Sequence, residues 1–261
     1  SDSPAILGVC PRRTRMAVYR DKLGLNRPDA PTEATDWGKR LEPVIAAAYA
    51  EKTGILVERR EVPVWHPDSP WFRATIDGIG EDGRIIEFKS VGCWSGFSAA
   101  NGDWRSLPES WIVQVQHQMI AAEQDWCDVA VFVPLELRLY CVPRIPSLCN
   151  LVKDSAADLW GCVIDRVPPA TNDPRDADLI SSCYPKAEGE IVLDDPALLS
   201  AADAYAEAQS NAAAKVTLLS AMGEALTASL PDGRIVRRKV THRASYTVSA
   251  ATIVKLEILN P

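Results

Sequence analysis

The chain has 261 residues, 47% of them hydrophobic and 24% charged, with a net charge of −7; this length buries a sizeable core and suits one domain with an appendage or two modest domains. No apolar run approaches the roughly 20 residues that cross a bilayer, and residues 1–7 lack the basic-then-apolar layout of a signal peptide, so a cytoplasmic protein is expected. The acidic balance argues against a protein that coats nucleic acid. Seven scattered cysteines, with no Cys-x-x-Cys pair and no histidine at zinc spacing, read as reduced and mostly buried thiols.

In chain order, residues 35–54 read as a helix capped by Thr35 or Asp36 and stopped by Gly54, with Trp37, Leu41, Ile45 and Ala48 on one face. Pro43 lies inside it, and an interior proline costs about 3 kcal/mol, so a bend after Glu42 or a junction of two short helices is expected. Residues 55–62 lead into a turn-rich stretch, 63–70. Strands are predicted near 72–79 and 84–90, joined by residues 80–83. Residues 91–105, rich in Gly, Ser and Trp, are expected to form a loop over the site. Ser106-Leu-Pro-Glu109 then matches a capping box that opens a helix through Trp111, Val115, Met119 and Ala122. That helix is apolar on most sides and therefore buried, which makes Gln114, Gln116 and Gln118 costly unless each finds a partner.

Residues 128–133 and 137–142 look like two more strands of the same sheet, and 145–163 returns to a helical pattern. A surface connection (168–190), an Ala-rich helical span (196–230), and a basic two-stranded appendage (232–248) with a short terminal strand or helix complete the chain. The fold class is α/β (α+β). The domains are predicted as a core over 1–145 and a helical and β-hairpin extension over 146–261.

Chemistry concentrates between residues 73 and 90. Side chains alternate along a strand, so Glu87 and Lys89 share one face while Ile86 and Phe88 share the other. With Asp77 on the preceding strand, two carboxylates and an ammonium meet, a set that suits Mg²⁺ and a water beside a phosphodiester. The carbonyl of Phe88 is a possible third ligand. Alone, Glu-x-Lys is common and is more often an ion pair.

Four motifs in order change that balance: Ser1-Asp2 with Ile6-Leu-Gly8; Trp37-Gly-Lys-Arg-Leu-Glu42; Ala74-Thr-Ile-Asp77-Gly with Glu87-Phe-Lys89; and Gln114-Val-Gln116. With them the chain resembles the lambda-type phage exonucleases, the YqaJ-like viral recombinase branch of the restriction-endonuclease-like nucleases, over about its first 135 residues. The resemblance implies a restriction-endonuclease-like core with a central mixed sheet flanked by helices. It implies Asp77 and Glu87 as direct metal ligands, Lys89 as the catalytic lysine, Glu42 as an additional acidic member in the second shell or acting through water, and Gln114 as the residue that orients the nucleophile or Lys89. The expected cofactor is Mg²⁺, with Mn²⁺ as a substitute.

The implied activity is digestion of one strand from a duplex DNA end, 5′ to 3′, exposing single strands for an annealing protein. The implied assembly is a homo-oligomer, for which a trimeric ring is one form. The resemblance also places the start of the chain inside the family's opening motif, so residues that help grip a DNA end are expected upstream of Ser1. The family's arginine for a 5′-phosphate falls where Ser95 stands here, with Arg105 or the Arg12, Arg13 pair as substitutes. Ile76 replaces the proline that usually precedes the catalytic aspartate.

Basic residues cluster at Arg12, Arg13, Arg15, Arg20, Lys22 and Arg27, and again at Arg234, Arg237, Arg238, Lys239 and Arg243. Candidate DNA contacts are Ser1, Arg12, Arg13, Arg105, Arg237 and Arg238, against a solvated mixed surface. Trp65, Trp71, Trp94 and Trp104 flank the site and either pack or stack on unpaired bases. His66, His117 and His242 are isolated and read as core or surface residues. An endonuclease of the same fold and a catalytically silent nuclease-like binding module are the alternatives.

Overall fold

The computed structural model describes all residues except 27–29, 93–96, 185–187, 208, 210, 244–250 and 260–261. In chain order the elements are α1 (Ser3–Ile6), α2 (Arg15–Lys22), α3 (Glu33–Thr53), β1 (Val57–His66), β2 (Ser69–Gly80), β3 (Ile85–Ser90), α4 (Glu109–Ala122), β4 (Trp126–Val133), β5 (Glu136–Pro143), α5 (Pro146–Asp165), α6 (Ala177–Cys183), β6 (Glu190–Val192), α7 (Ala197–Glu207), α8 (Ala212–Met222), β7 (Thr227–Ser229), β8 (Ile235–Arg243) and β9 (Ala251–Leu259). They form two compact units, Ser1–Arg12 with Arg27–Asp158, and Arg13–Asn26 with Leu159–Pro261. The division therefore falls inside α5 rather than before it, and residues 13–26 join the second unit.

In the first unit the strands follow the order β1-β2-β3-β4-β5, with β3 and β4 parallel and the other neighbours antiparallel. A mixed sheet of this kind is buried on both faces, so its central strands carry little alternation: Val129, Ala130 and Val131 are all fully buried. One face packs Ile79, Ile85, Val129 and Val131 against Val115 and Met119 of α4. On the other face, Ile86, Phe88 and Ala130 pack against Ile45, Ala46 and Tyr49 of α3. The Tyr49 hydroxyl donates to Asp128 at 2.6 Å and Arg84 donates to the same carboxylate at 2.8 Å, which satisfies a buried acid and ties α3 to β4.

Helix α3 starts earlier than the sequence suggests. Thr32 is its N-cap and accepts from the Thr35 N–H at 3.2 Å, and Gly54 ends it at φ +77°. It runs through Pro43 as one helix, because Pro43 lies on the exposed side, where the carbonyl left without a donor has access to water. Trp37 is 55% exposed, with the Arg40 guanidinium over its ring at 5.5 Å, so the buried stripe begins at Leu41 and not at Trp37.

Other expectations shift for local reasons. Residues 63–66, expected to turn, belong to β1, because β1 is an edge strand and tolerates Pro63 there. The turn itself is confined to Pro67 and Asp68. No capping box forms at α4: Ser106 lies in a 3-10 turn and donates to the Asp103 carbonyl at 2.6 Å, and Pro108 takes the cap position without a side-chain bond. The helical span predicted to reach 230 ends at Met222, and β7 follows. In the second unit β6, β7, β8 and β9 form a sheet in that order, with β6 parallel to β7 and the rest antiparallel. The terminal segment is thus a strand, β9.

Gly78 abuts the α3-side core beside the site. A Cβ there would lie 2.9 Å from Cζ of Phe88 and 3.1 Å from Cγ1 of Val57, inside a packed face with no room to yield. Gly78→Ala should lower stability by roughly 1–3 kcal/mol, read from the urea midpoint at constant m-value. An unchanged midpoint would contradict this close approach.

Candidate active site

The site forms where β2 and β3 part. Their ladder contains Gly78↔Ile86 and Ile79↔Ile85, and stops there. Beyond it, Asp77 faces Glu87 across the opening, and the Phe88 N–H donates to Oδ2 of Asp77 at 3.0 Å in place of a backbone partner. A strand residue directs its N–H and C=O to the same edge, so the Phe88 carbonyl also faces the Asp77 side. Residues directly opposite on antiparallel strands share a face, which puts both carboxylates toward α4.

Glu87 is 2% exposed, and a carboxylate that deep requires donors. Lys89 Nζ and Gln114 Nε2 both donate to its Oε1, the latter at 2.6 Å, and Gln118 Nε2 donates to its Oε2, also at 2.6 Å. Lys89 further donates to Gln114 Oε1 at 3.0 Å and stands 5.6 Å from the centre of the Trp111 ring. Residues 111, 114 and 118 recur at helical spacing, so one face of α4 presents all three to the sheet.

Two acids in this setting cannot share full charge at neutral pH. Burial, then the charge of Glu87, pushes the Asp77 carboxyl up to about 8, while the Phe88 N–H and Lys89 oppose the shift. Burial also acts against ionised Glu87, but the charge of Lys89 and the hydrogen bonds from Lys89 and Gln118 outweigh it and hold its carboxyl low. The result is one anion and one proton-holding acid in side-chain hydrogen-bond contact. Glu42 lies half-buried on α3, with its carboxyl raised by burial and then by the charges of Glu61 and Glu87. Among the described residues no three His, Cys, Asp or Glu side chains form a group that could hold one ion.

Of the predicted residues, Asp77, Glu87, Phe88, Lys89 and Gln114 come together. The buried glutamines divide the work. Gln116 donates to the Pro143 carbonyl at 2.9 Å and accepts from the Ile145 N–H at 2.8 Å, a purely structural clasp. Gln118 had no assigned role in the sequence, although its i, i+4 spacing from Gln114 was the available signal. His117 joins Ser3 Oγ at 2.7 Å and the Arg73 carbonyl at 2.9 Å and stacks on Phe72, a core role that holds α1 to α4 and β2.

The candidate DNA contacts fare differently. Arg238 is corrected: it is 3% exposed, points inward from β8, and donates to the carbonyls of Leu219 and Gly223. Strand alternation sends its neighbour Arg237 outward instead. Arg234 pairs with Asp203 and Asp232, each at 2.6 Å, and Lys239 pairs with Glu257 at 2.9 Å, so much of the second basic cluster is neutralised. Arg13 pairs with Asp21 in the second unit, whereas Arg12 is exposed in the first. Ser1 is exposed, and its Oγ accepts from the Ser3 N–H at 3.2 Å. Arg105 is exposed with its guanidinium 4.8 Å from the Trp104 ring centre. Trp65 and Trp71 are each 53% exposed on β1 and β2. Ser95 and Trp94, and the side chains of His242 and Arg243, lie outside the described residues.

Residues 1–125 match the family model of the YqaJ-like viral recombinase domain. The chain is 30% identical over 122 residues to the uncharacterized protein YqaJ of Bacillus subtilis (strain 168), a match that covers 46% of this chain and 37% of that protein. It thus spans little more than a third of that relative's length. Among solved structures it is similar to LHK-Exo in complex with dAMP, with a TM-score of 0.51 at 22% identity, and to the alkaline exonuclease LHK-Exo from Laribacter hongkongensis, with a TM-score of 0.50 at 21% identity. Both matches cover 63% of this chain and 88% of the other. The shared fold is restriction-endonuclease-like, and no helix among the described residues is long and apolar enough to cross a membrane.

The raised Asp77 carboxyl has a thermodynamic consequence. The folded, metal-free chain keeps this proton up to about pH 8, whereas an unfolded chain releases it near pH 4. The folded state therefore binds more protons across that window, and stability from this group is lost as pH rises toward about 8. With a chelator present, the drop in urea midpoint between about pH 5.5 and about pH 8.5 should shrink in Asp77→Asn. An equal drop in both proteins would contradict the buried pair.

Proposed function

We propose that the chain is a Mg²⁺-dependent deoxyribonuclease of the phage recombination type, removing nucleotides of one strand from the end of double-stranded DNA, 5′ to 3′ by family resemblance. The observation that carries this reading is the meeting of Asp77, Glu87 and Lys89 at the β2–β3 fork, beneath Gln114 and Gln118. The family match over residues 1–125 supports it, as does the likeness in fold to an alkaline exonuclease solved with a deoxynucleoside monophosphate.

The donor set fits the ion. Asp77 and Glu87 offer hard carboxylate oxygens, and the Phe88 carbonyl faces the same opening. A dication there relieves the repulsion that otherwise leaves a proton on Asp77. When bound, Mg²⁺ supplies neutralisation of a non-bridging phosphate oxygen and a lower pKa for the attacking water. Lys89 Nζ, fixed between Glu87 and Gln114, is positioned to hold that water by a hydrogen bond. The water oxygen forms the new bond to phosphorus, the bridging P–O bond breaks, the water proton passes to solvent, and the departing oxygen takes a proton from solvent. Glu42 would act on the ion through a water or from just beyond the direct ligands.

The substrate is a free duplex end, and the exposed single strand passes to an annealing protein. A homo-oligomeric ring, trimeric in one form, would keep an acidic protein on DNA by topology rather than by counterion release. Exposed Ser1, Arg12, Arg105 and Arg237 are the proposed contacts to DNA.

The test is time-resolved digestion of a linear duplex labelled at the 5′ or the 3′ end, with Mg²⁺ or with a chelator, beside a nick-free closed circle. The linear duplex should release nucleotides from one end only with metal present, and the circle should persist. Asp77→Ala should lose activity by at least about a hundredfold while folding normally. Equal cutting of the circle would replace the exonuclease by an endonuclease of the same fold, and full activity in Asp77→Ala would overturn the metal site.

A further inference from the structure

A carboxylate offers about four lone-pair positions, and in Glu87 three of them are filled by this protein's own donors. Lys89 and Gln114 occupy both positions on Oε1, and Gln118 occupies one on Oε2. The remaining position is on Oε2, and Asp77 also makes side-chain hydrogen-bond contact with Glu87. Gln118 is itself held: it is 3% exposed, and its Nε2 lies 3.3 Å from the Thr75 carbonyl on β2 as well as 2.6 Å from Glu87. One amide thus bridges the two strands that part at the site.

We infer that Gln118 is a positioning residue that sets the metal selectivity of the site by tethering Oε2 of Glu87 to β2, so that the carboxylate cannot turn and offers that oxygen through a single open position. This rests on the metal-binding reading above. With Oε1 saturated by Lys89 and Gln114 and Oε2 left a single open position by Gln118, Glu87 would offer an ion one oxygen. A small ion that keeps octahedral geometry and several waters, such as Mg²⁺ or Mn²⁺, accepts that arrangement. Ca²⁺ takes more oxygens, often both from one carboxylate, and a Glu87 tethered by Gln118 cannot turn to present both. Gln114 differs in role, because it acts on Oε1 and on Lys89. Partners that orient a ligating carboxylate are worth about 10–100-fold in metal affinity.

The experiment measures divalent-ion binding by the full chain without DNA: Mn²⁺ titration followed by electron paramagnetic resonance, then competition by Mg²⁺ and by Ca²⁺. Gln118→Met keeps the volume but removes the donor. It should weaken Mn²⁺ and Mg²⁺ binding by about tenfold and move the Mg²⁺-to-Ca²⁺ affinity ratio toward Ca²⁺ by a similar factor. Gln118→Glu keeps the shape and turns the donor into an acceptor, so its ratio should move further the same way. Circular dichroism and thermal unfolding identify any variant that fails to fold, and the other variant then decides. A wild-type ratio retained in the folded variants overturns the inference and leaves the metal site standing. A wild-type chain that binds none of these ions overturns the metal reading and the inference with it.

Discussion

The whole site depends on keeping one carboxylate ionised inside a protein core. Glu87 lies in a strand whose neighbours Ile85 and Ile86 are fully packed, so its charge must be matched by donors brought from elsewhere. Lys89 comes from its own strand, and α4 supplies two amides at a spacing of one helical turn. A helix that is apolar on nearly every side carries these glutamines without loss only because each finds its partner. Removal of the acid would strand the lysine and both amides, so the four residues form one unit rather than a list.

The second constraint is the fork. An antiparallel ladder that continued past Gly78 and Ile86 would bind the Phe88 N–H to β2 backbone and close the opening. Instead the Asp77 side chain takes that donor, and the strands part at the point where the two acids face each other. Gly78 allows the Phe88 ring to cover β2 from the opposite face at a distance that any side chain would block. Local pairing is given up here for a polar opening, a departure of the kind expected at functional positions.

The second unit illustrates how charge in a sequence misleads. A run with Arg234, Arg237, Arg238 and Lys239 suggests a basic track, yet strand alternation buries one arginine, and cross-strand or loop carboxylates pair with two other cations. Arg237 faces outward opposite Glu257 on β9, whose carboxyl its charge helps Lys239 to lower. Residues 13–26, rich in basic side chains, fold with this unit although they precede the whole of the first unit's sheet.

Periodicity and motif order were enough to determine the mixed α/β class, the strands β2 to β5, the helices α3 and α4, and the grouping of Asp77, Glu87, Lys89 and Gln114. These are legible because side-chain alternation and helical spacing are properties of the local backbone. Tertiary structure alone decided the rest. Edge position made strand of the turn-like residues around Pro63, and solvent exposure let α3 run through Pro43 and left Trp37 outside the core. Packing also separated the structural Gln116 from Gln118 at the site, and turned Arg238 inward. Such outcomes depend on what lies across from a residue in space, and a linear sequence does not state its neighbours.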